Sequence, residues 1–201
     1  MENSDTIEDQ ILVAAFQVFV EKGFENAKMQ DIAAVVGIKR TVLNYYFRSK
    51  ELLYHKIAKT VISQTLPVIL KTLNSDLPVN EKIEAFVSVY INTGLKNPFL
   101  PLFIVNELNS LGDKFIDIVF EGHSPNVEPF LAQLEAEMEK GKIIRMKPIQ
   151  ILIHIFSLCA FPLIARPMIK ILTHCNNDEY LLLIEERKKE VVRFVLKGIT
   201  P

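Results

Sequence analysis

A chain of 201 residues with 49% hydrophobic content can bury one good core or two small ones, and a net charge of −1 excludes a chain that is basic throughout. Only 7 glycines occur, and no stretch alternates apolar and polar residues long enough to suggest a sheet, so a helical fold is expected. The two cysteines, Cys159 and Cys175, lie in apolar helical surroundings without a close metal-ligand spacing, which points to reduced, packed thiols. The polar, acidic start Met1-Glu2-Asn3-Ser4-Asp5 is unsuited to a secretory signal, and a cytoplasmic location is expected.

In chain order, a first helix is expected from Asp5 or Thr6, with Glu8 or Asp9 as capping-box partner and Ile7, Ile11, Ala14, Ala15 and Val18 as its buried stripe. Gly23 ends it. A second helix begins near Lys28 to Gln30 and a third near Arg40. Ile32, Ala33 and Val36 make an apolar face about one turn long, Gly37 supplies the freedom for a sharp turn, and Leu43 and Phe47 start a second apolar face. This is helix-turn-helix spacing. Lys39, Arg40, Thr41, Asn44 and Tyr45 are left outside, where they can reach phosphates and base edges, whereas Tyr46 and Phe47 are expected to pack the module. A long helix follows from Ser49, as cap, to about Leu73 and links this module to a larger helical body.

Beyond it, Leu77-Pro78 with Asn80 opens a helix to about Leu95, with Ile83, Phe86, Val87 and Tyr90 on one face. Asn97-Pro98 opens another to about Leu108, because asparagine caps and proline suits the first helical position. A short helical piece around Phe115 to Phe120 precedes a further start at Ser124-Pro125, and that helix ends before Gly141. Two more are expected, about Pro148 to Ala160, almost wholly apolar, and about Asp178 to Lys197. The last has Tyr180, Ile184, Val191 and Val195 on one face and Glu185 paired with Lys189 on another. The apolar run Ile149 to Ile164 contains Gln150, His154, Ser157 and Pro162 and falls short of the ~20 residues a bilayer requires. A buried helix or a subunit interface is expected there, and no membrane partner.

Charge is distributed unevenly. From Lys22 to Lys56 there are seven Lys and Arg against three Asp and Glu, a local net of +4 at the helix-turn-helix. Such a run is ordinarily a solvated face, but here the bases fall at positions of the motif, where neutralising phosphates and releasing counterions contributes much of DNA affinity.

Several residues together carry a specific resemblance: Ile11, Ala14, Ala15, Phe16 and Phe19; Lys22-Gly23-Phe24; Asp31-Ile32-Ala33; and Tyr46-Phe47-Arg48-Ser49-Lys50 with Glu51-Leu52-Leu53. This ordered set, covering roughly the first quarter of the chain, resembles the amino-terminal domain of TetR/AcrR-type bacterial transcriptional regulators. The resemblance implies an all-α protein with a three-helix DNA-binding domain at 1–48 and an effector-binding and dimerisation domain at 49–201. It also implies a double-stranded DNA operator as partner, contacted by Lys28, Gln30, Lys39, Arg40, Thr41, Asn44, Tyr45 and Lys50, with Lys50 as the phosphate-binding lysine. Two departures concern the caps, because Lys28 and Lys39 stand where the family commonly has a hydroxyl. A third is Asn44, which replaces a frequent tyrosine and can read adenine.

In such regulators the two carboxy-terminal helices pair with their symmetry mates, so a homodimer through about 148–160 and 178–197 is implied. The body then encloses a small, often lipophilic effector, with Phe86, Tyr90, Phe99, Phe103, Asn106, Glu107, Phe115 and Phe120 as candidate lining, although an aromatic stripe at helical spacing equally describes a core. Repression released by the effector is the reading adopted; the alternatives are a DNA-binding architectural protein of the same fold without an effector, and a helical enzyme. Against the enzyme, His55, His123, His154 and His174 form no metal spacing, and no phosphate loop or nucleophile setting is present, so neither cofactor nor metal is expected.

Overall fold

The computed structural model describes residues 6–112 and 125–201, and every regular element among them is an α-helix. In chain order these are α1 (Ile7–Asn26), α2 (Met29–Val36), α3 (Arg40–Tyr46), α4 (Lys50–Leu73), α5 (Val79–Lys96), α6 (Leu100–Leu111), α7 (Glu128–Glu139), α8 (Pro148–Ile164), α9 (Arg166–Thr173) and α10 (Asn177–Ile199). The chain divides into two compact units, Met1–Ser63 and Gln64–Pro201.

In the first unit, Thr6 caps α1: its hydroxyl accepts from the Asp9 amide while the Asp9 carboxylate accepts from the Thr6 amide, both at 3.1 Å. Ile11, Ala14, Ala15, Val18 and Phe19 are buried along α1, but Ile7 is 42% exposed and drops out of the expected stripe. Gly23, at φ 75°, breaks the helix where the sequence places its end, leaving a short helical extension to Asn26. Gly37 ends α2 in the left-handed conformation, φ 78°, which turns the chain sharply into α3. Ile32, Ala33, Leu43 and Phe47 are buried beneath that turn, with Val36 half-buried. The Ser49 hydroxyl accepts from the Leu52 amide at 3.2 Å, so Ser49 caps α4.

In the second unit, α10 packs on α5 and α8, and α8 is also in contact with α5, α6, α7 and α9. One core runs through these helices, from Leu73 and Ile83 through Phe86, Phe130 and Ile155 to Ile184 and Val195. At the contact of α5 with α8, Gly94 leaves room for the Leu163 side chain, whose Cδ1 atom would lie 2.3 Å from a Cβ built there. The four residues expected on one face of α10, Tyr180, Ile184, Val191 and Val195, are all buried. Its cap is Asn176, whose side-chain oxygen accepts from the Asp178 and Glu179 amides at 2.9 and 3.0 Å.

Four further expectations change. Asn97 terminates α5, donating from Nδ2 to the Thr93 carbonyl at 2.9 Å, and α6 starts only at Leu100. The apolar helix runs on to Ile164 through Pro162, whose carbonyl accepts from the Tyr180 hydroxyl at 3.0 Å. A separate helix, α9, follows, ended by His174 in the left-handed conformation at φ 54°. On α10, Glu185 pairs with Lys188, three residues on, because the Lys188 ammonium also donates to the Asn92 side chain of α5. Among the described residues no single helix is long and apolar enough to cross a membrane; α8 and α9 together have the composition but are bent by 76°. The expected helical piece at Phe115 to Phe120, the start at Ser124, the cap at Asp5 and His123 lie outside the described residues.

Candidate functional site

The second helix-turn-helix helix, α3, is seven residues long and buries one side chain, Leu43, so most of its surface is free for a partner. Arg40, Thr41, Asn44 and Tyr45 are all exposed on it, with Lys39 exposed at the position before it. Tyr45 is 84% exposed, which leaves its ring no part in the core. Tyr46, expected to pack, is 39% exposed and stands edge-on to Tyr45 with ring centres 5.5 Å apart. At the last residue of α3, beside the buried Phe47, Tyr46 sets its ring against Tyr45 instead of entering the core.

Lys28 and Lys39 occupy the residues before α2 and α3, and neither caps through its side chain. A lysine has no acceptor to offer. The start of α2 is held from the other side: Asp31 Oδ2 accepts from the Lys28 amide at 3.1 Å and forms an ion pair with Lys22 at 3.1 Å. Those bonds, the one from Lys22 first, hold the Asp31 carboxyl below the ordinary aspartate range. Lys22 is thereby spent within the fold, while Gln30, at the start of α2, is exposed.

Lys50, the first residue of α4, is half-buried, and its ammonium is already engaged. It donates to the Phe24 carbonyl at 2.7 Å and stands 4.2 Å from the centre of the Phe24 ring. Phe24 in turn packs against Tyr54 at 4.5 Å, and Tyr54 meets Phe19 edge-on at 5.3 Å. The lysine therefore ties the end of α1 to the start of α4 through a carbonyl and an aromatic face.

The candidate effector residues do not behave alike. Phe86 is fully buried and Phe103 is 5% exposed, with Phe86 edge-on to Phe156 at 5.0 Å. Tyr90 is half-buried beside both rings, and burial pushes its hydroxyl up to about 12. Phe99 and Glu107 are half-buried and Asn106 faces solvent; Phe115 and Phe120 lie outside the described residues. Cys159 is buried near Tyr90, its thiol likewise pushed up to about 12 by desolvation. Among the described residues no three His, Cys, Asp or Glu side chains gather as a metal site.

On the same unit, apolar side chains remain uncovered. Ile149 and Ile153 of α8 are 41% and 49% exposed, and Leu183 and Phe194 of α10 are 39% and 69% exposed. Leu183 and Phe194 lie about three turns apart on one line of that helix. The mostly apolar α8 thus buries one flank, Ile151, Ile155 and Cys159, and leaves another open.

Residues 11–57 match the model of the family described as bacterial regulatory proteins, tetR family. The chain is 22% identical over 192 residues to the HTH-type transcriptional regulator RutR of Escherichia coli, a match covering 95% of this chain and 89% of that protein. It is 32% identical over 68 residues to IcaR of Staphylococcus aureus, a negative transcriptional regulator of a biofilm operon, covering 34% of this chain and 37% of that one. Its fold is similar to that of a TetR/AcrR-family regulator from Thermobifida fusca, with a TM-score of 0.66 at 19% identity over 95% and 97% of the two chains. The fatty acid degradation regulator FadR from Bacillus halodurans gives 0.60 at 20% identity over 97% of each. With an exposed α3 set on a packed hairpin and with the family's own pattern over residues 11–57, the chain carries the amino-terminal helix-turn-helix domain of the tetR family of bacterial regulatory proteins.

Proposed function

We propose that the protein is a homodimeric repressor acting in the cytoplasm, which binds a palindromic operator and is released from it by a small lipophilic effector. The observation that carries the DNA-binding part is the outward face of α3, where Arg40, Thr41, Asn44 and Tyr45 are all exposed above a buried Leu43. Arginine can hydrogen-bond both O6 and N7 of a guanine, and asparagine both N6 and N7 of an adenine, so Arg40 and Asn44 are assigned to base edges. Lys28, Lys39, Thr41 and Tyr45 are assigned mainly to backbone contacts, and Gln30 to a base within reach of the start of α2. Lys50 has three N–H donors; with Phe24 and Glu25 carbonyls as its partners in the fold at 2.7 and 3.4 Å, the remaining donor is assigned to a phosphate.

Residues 1–48 are the DNA-reading part in this proposal, and 49–201 bind effector and partner chain. The open apolar side chains of α8 and α10 support dimerisation through about 148–160 and 178–197, since a patch of this character is costly to leave in water. Two recognition helices about 34–36 Å apart would then meet successive major grooves. FadR and IcaR, one named for fatty acid degradation and one for negative regulation, support a lipophilic signal and repression as the readings to test first. No catalytic role is assigned.

Selecting bound duplexes from random DNA tests the proposal directly. A two-fold symmetric consensus is expected, with Arg40→Ala losing about tenfold in affinity for it and little for unrelated duplex. Equal loss on all duplexes would remove Arg40 from base reading, and the absence of symmetry in the selected sites would count against the dimer. Screening lipophilic compounds for release of the selected duplex then separates an effector-responsive regulator from an architectural protein.

A further inference from the structure

Helix α9 is amphipathic in the sense opposite to that of an ordinary surface helix. Its two basic side chains turn inward: Lys170 Nζ donates to the Asn177 side-chain oxygen at 2.6 Å, Arg166 donates to the same oxygen at 3.3 Å, and the Arg166 guanidinium stands 4.9 Å from the centre of the buried Tyr180 ring. Ile169 packs against the core beside them. The other side carries Met168, Ile171 and Leu172, which are 44%, 71% and 68% exposed. Spaced three and four residues apart, these side chains form one apolar face. A surface helix normally turns such a face to the core and its lysine and arginine to water. Held by its basic side, α9 cannot roll over to hide Ile171 and Leu172 without breaking both hydrogen bonds and the contact with Tyr180.

The outward face of α9 follows directly on the open flank of α8. The uncovered side chains of α8, from Ile149 and Ile153, reach its last turn at Phe161, 51% exposed, and Ala165 alone separates α8 from α9. Arg187 Nε donates to the Leu158 carbonyl at 2.9 Å, which fastens α10, one turn after Leu183, beside the same stretch of α8. Helices α8 and α10 are 17 and 23 residues long, and one flank of a helix holds about a third of its residues. Those two flanks fall short of the roughly 20–30 residues that a stable interface takes from each partner. A lipid surface suits the face less well, because helices seated on membranes keep lysine and arginine free for the headgroups, and here both are turned inward.

We propose that the outward face of α9 is a docking surface for a second copy of this chain, extending the contact made by α8 and α10 beyond Ile164. The inference rests on the homodimer reading and adds to it Met168, Ile171 and Leu172, which the ranges 148–160 and 178–197 leave out. Covering this face in the dimer removes from water the side chains that the basic side of α9 forces outward.

The test places the photo-cross-linker p-benzoyl-L-phenylalanine in the full chain in place of Leu172 or, as a control, of Val13, which is 61% exposed on α1. Irradiation is expected to give a covalent species of twice the 23.0 kDa chain mass from position 172 and none from position 13. In sedimentation equilibrium, Ile171→Asp combined with Leu172→Asp is expected to raise the dimer dissociation constant by about thirtyfold or more. Val13→Asp is expected to leave it within about twofold. Both residues of the α9 pair are exposed in the single chain, so helical content by circular dichroism should stay unchanged; if it falls, the adduct decides. A dimer that gives no adduct from position 172, or whose dissociation constant the α9 pair leaves unchanged, assigns this face to another occupant and overturns the inference while the dimer through α8 and α10 stands. Equal adducts from positions 13 and 172 overturn it as random collision. A parent chain that stays monomeric at micromolar concentration overturns the dimer reading itself, and this inference with it.

Discussion

Lys50 shows how much one side chain can be asked to do. It is proposed as a phosphate ligand, and the fold gives its ammonium a carbonyl and an aromatic ring as partners. Both uses are compatible, because a fixed ammonium loses less freedom when it meets a phosphate than one swinging on a free stem. Lys50→Ala is therefore expected to lower stability by about 1–2 kcal/mol in urea unfolding, from the loss of a charge-assisted bond. Operator affinity is expected to fall across all DNA sequences, with the salt slope reduced by about one. Loss of stability without any change in salt slope would leave Lys50 as a fastening of α1 to α4 and nothing more. The sequence pattern names this lysine but is silent on Phe24, because a backbone carbonyl as partner leaves no trace in residue identity.

At the scale of elements, the helices with strong punctuation were legible and those set by tertiary neighbours were not. Thr6 with Asp9, Gly23, Gly37 and Ser49 mark ends by local chemistry, and each acts where the sequence places it. Asn97-Pro98 misleads because asparagine serves the end of α5 as readily as the start of α6. Helix α9 has no cap residue to announce it, and Pro167 in its first turn starts a helix as readily as it stops the one before. On the candidate site, the outward positions of α3 other than Val42 and Tyr46 could be read in advance, since exposure there follows from spacing. The body's candidates could not be sorted, because Phe86 in a core and a phenylalanine in a pocket share one periodicity. Asp31 carries the prediction at this scale. Its folded pKa is lowered, so its contribution to stability is complete above the unfolded value of about 3.9 and is lost as pH falls through the lower folded value. Asp31→Asn is expected to lower the melting temperature at pH 7, with the gap to the parent protein closing towards pH 3 in thermal scans. A gap that persists at low pH would mean the carboxylate charge contributes nothing to holding α2.

For the whole molecule, the uncovered side chains of α8 and α10 set the expected assembly. Sedimentation should give twice the 23.0 kDa chain mass, and Ile153→Glu or Phe194→Glu should shift the protein towards monomer and weaken operator binding by at least tenfold. A parent protein that sediments as a monomer at micromolar concentration would exclude dimerisation by this face. One further feature concerns α4, which carries Pro67 within its length. Proline has no amide hydrogen to give, so the Ser63 carbonyl loses its ladder partner, and Ser63 is the residue at which the two compact units divide. Seen as a mechanical element, α4 is a beam with one compliant joint instead of a uniform rod. Strain applied at one end would be absorbed as bending around residues 63–67 before it reached the other. Pro67→Ala should restore the missing bond, stabilise the helix by up to about 3 kcal/mol and slow hydrogen exchange around Ser63. The stiffness of α4 along its length is thus set at one place, by a single imino acid.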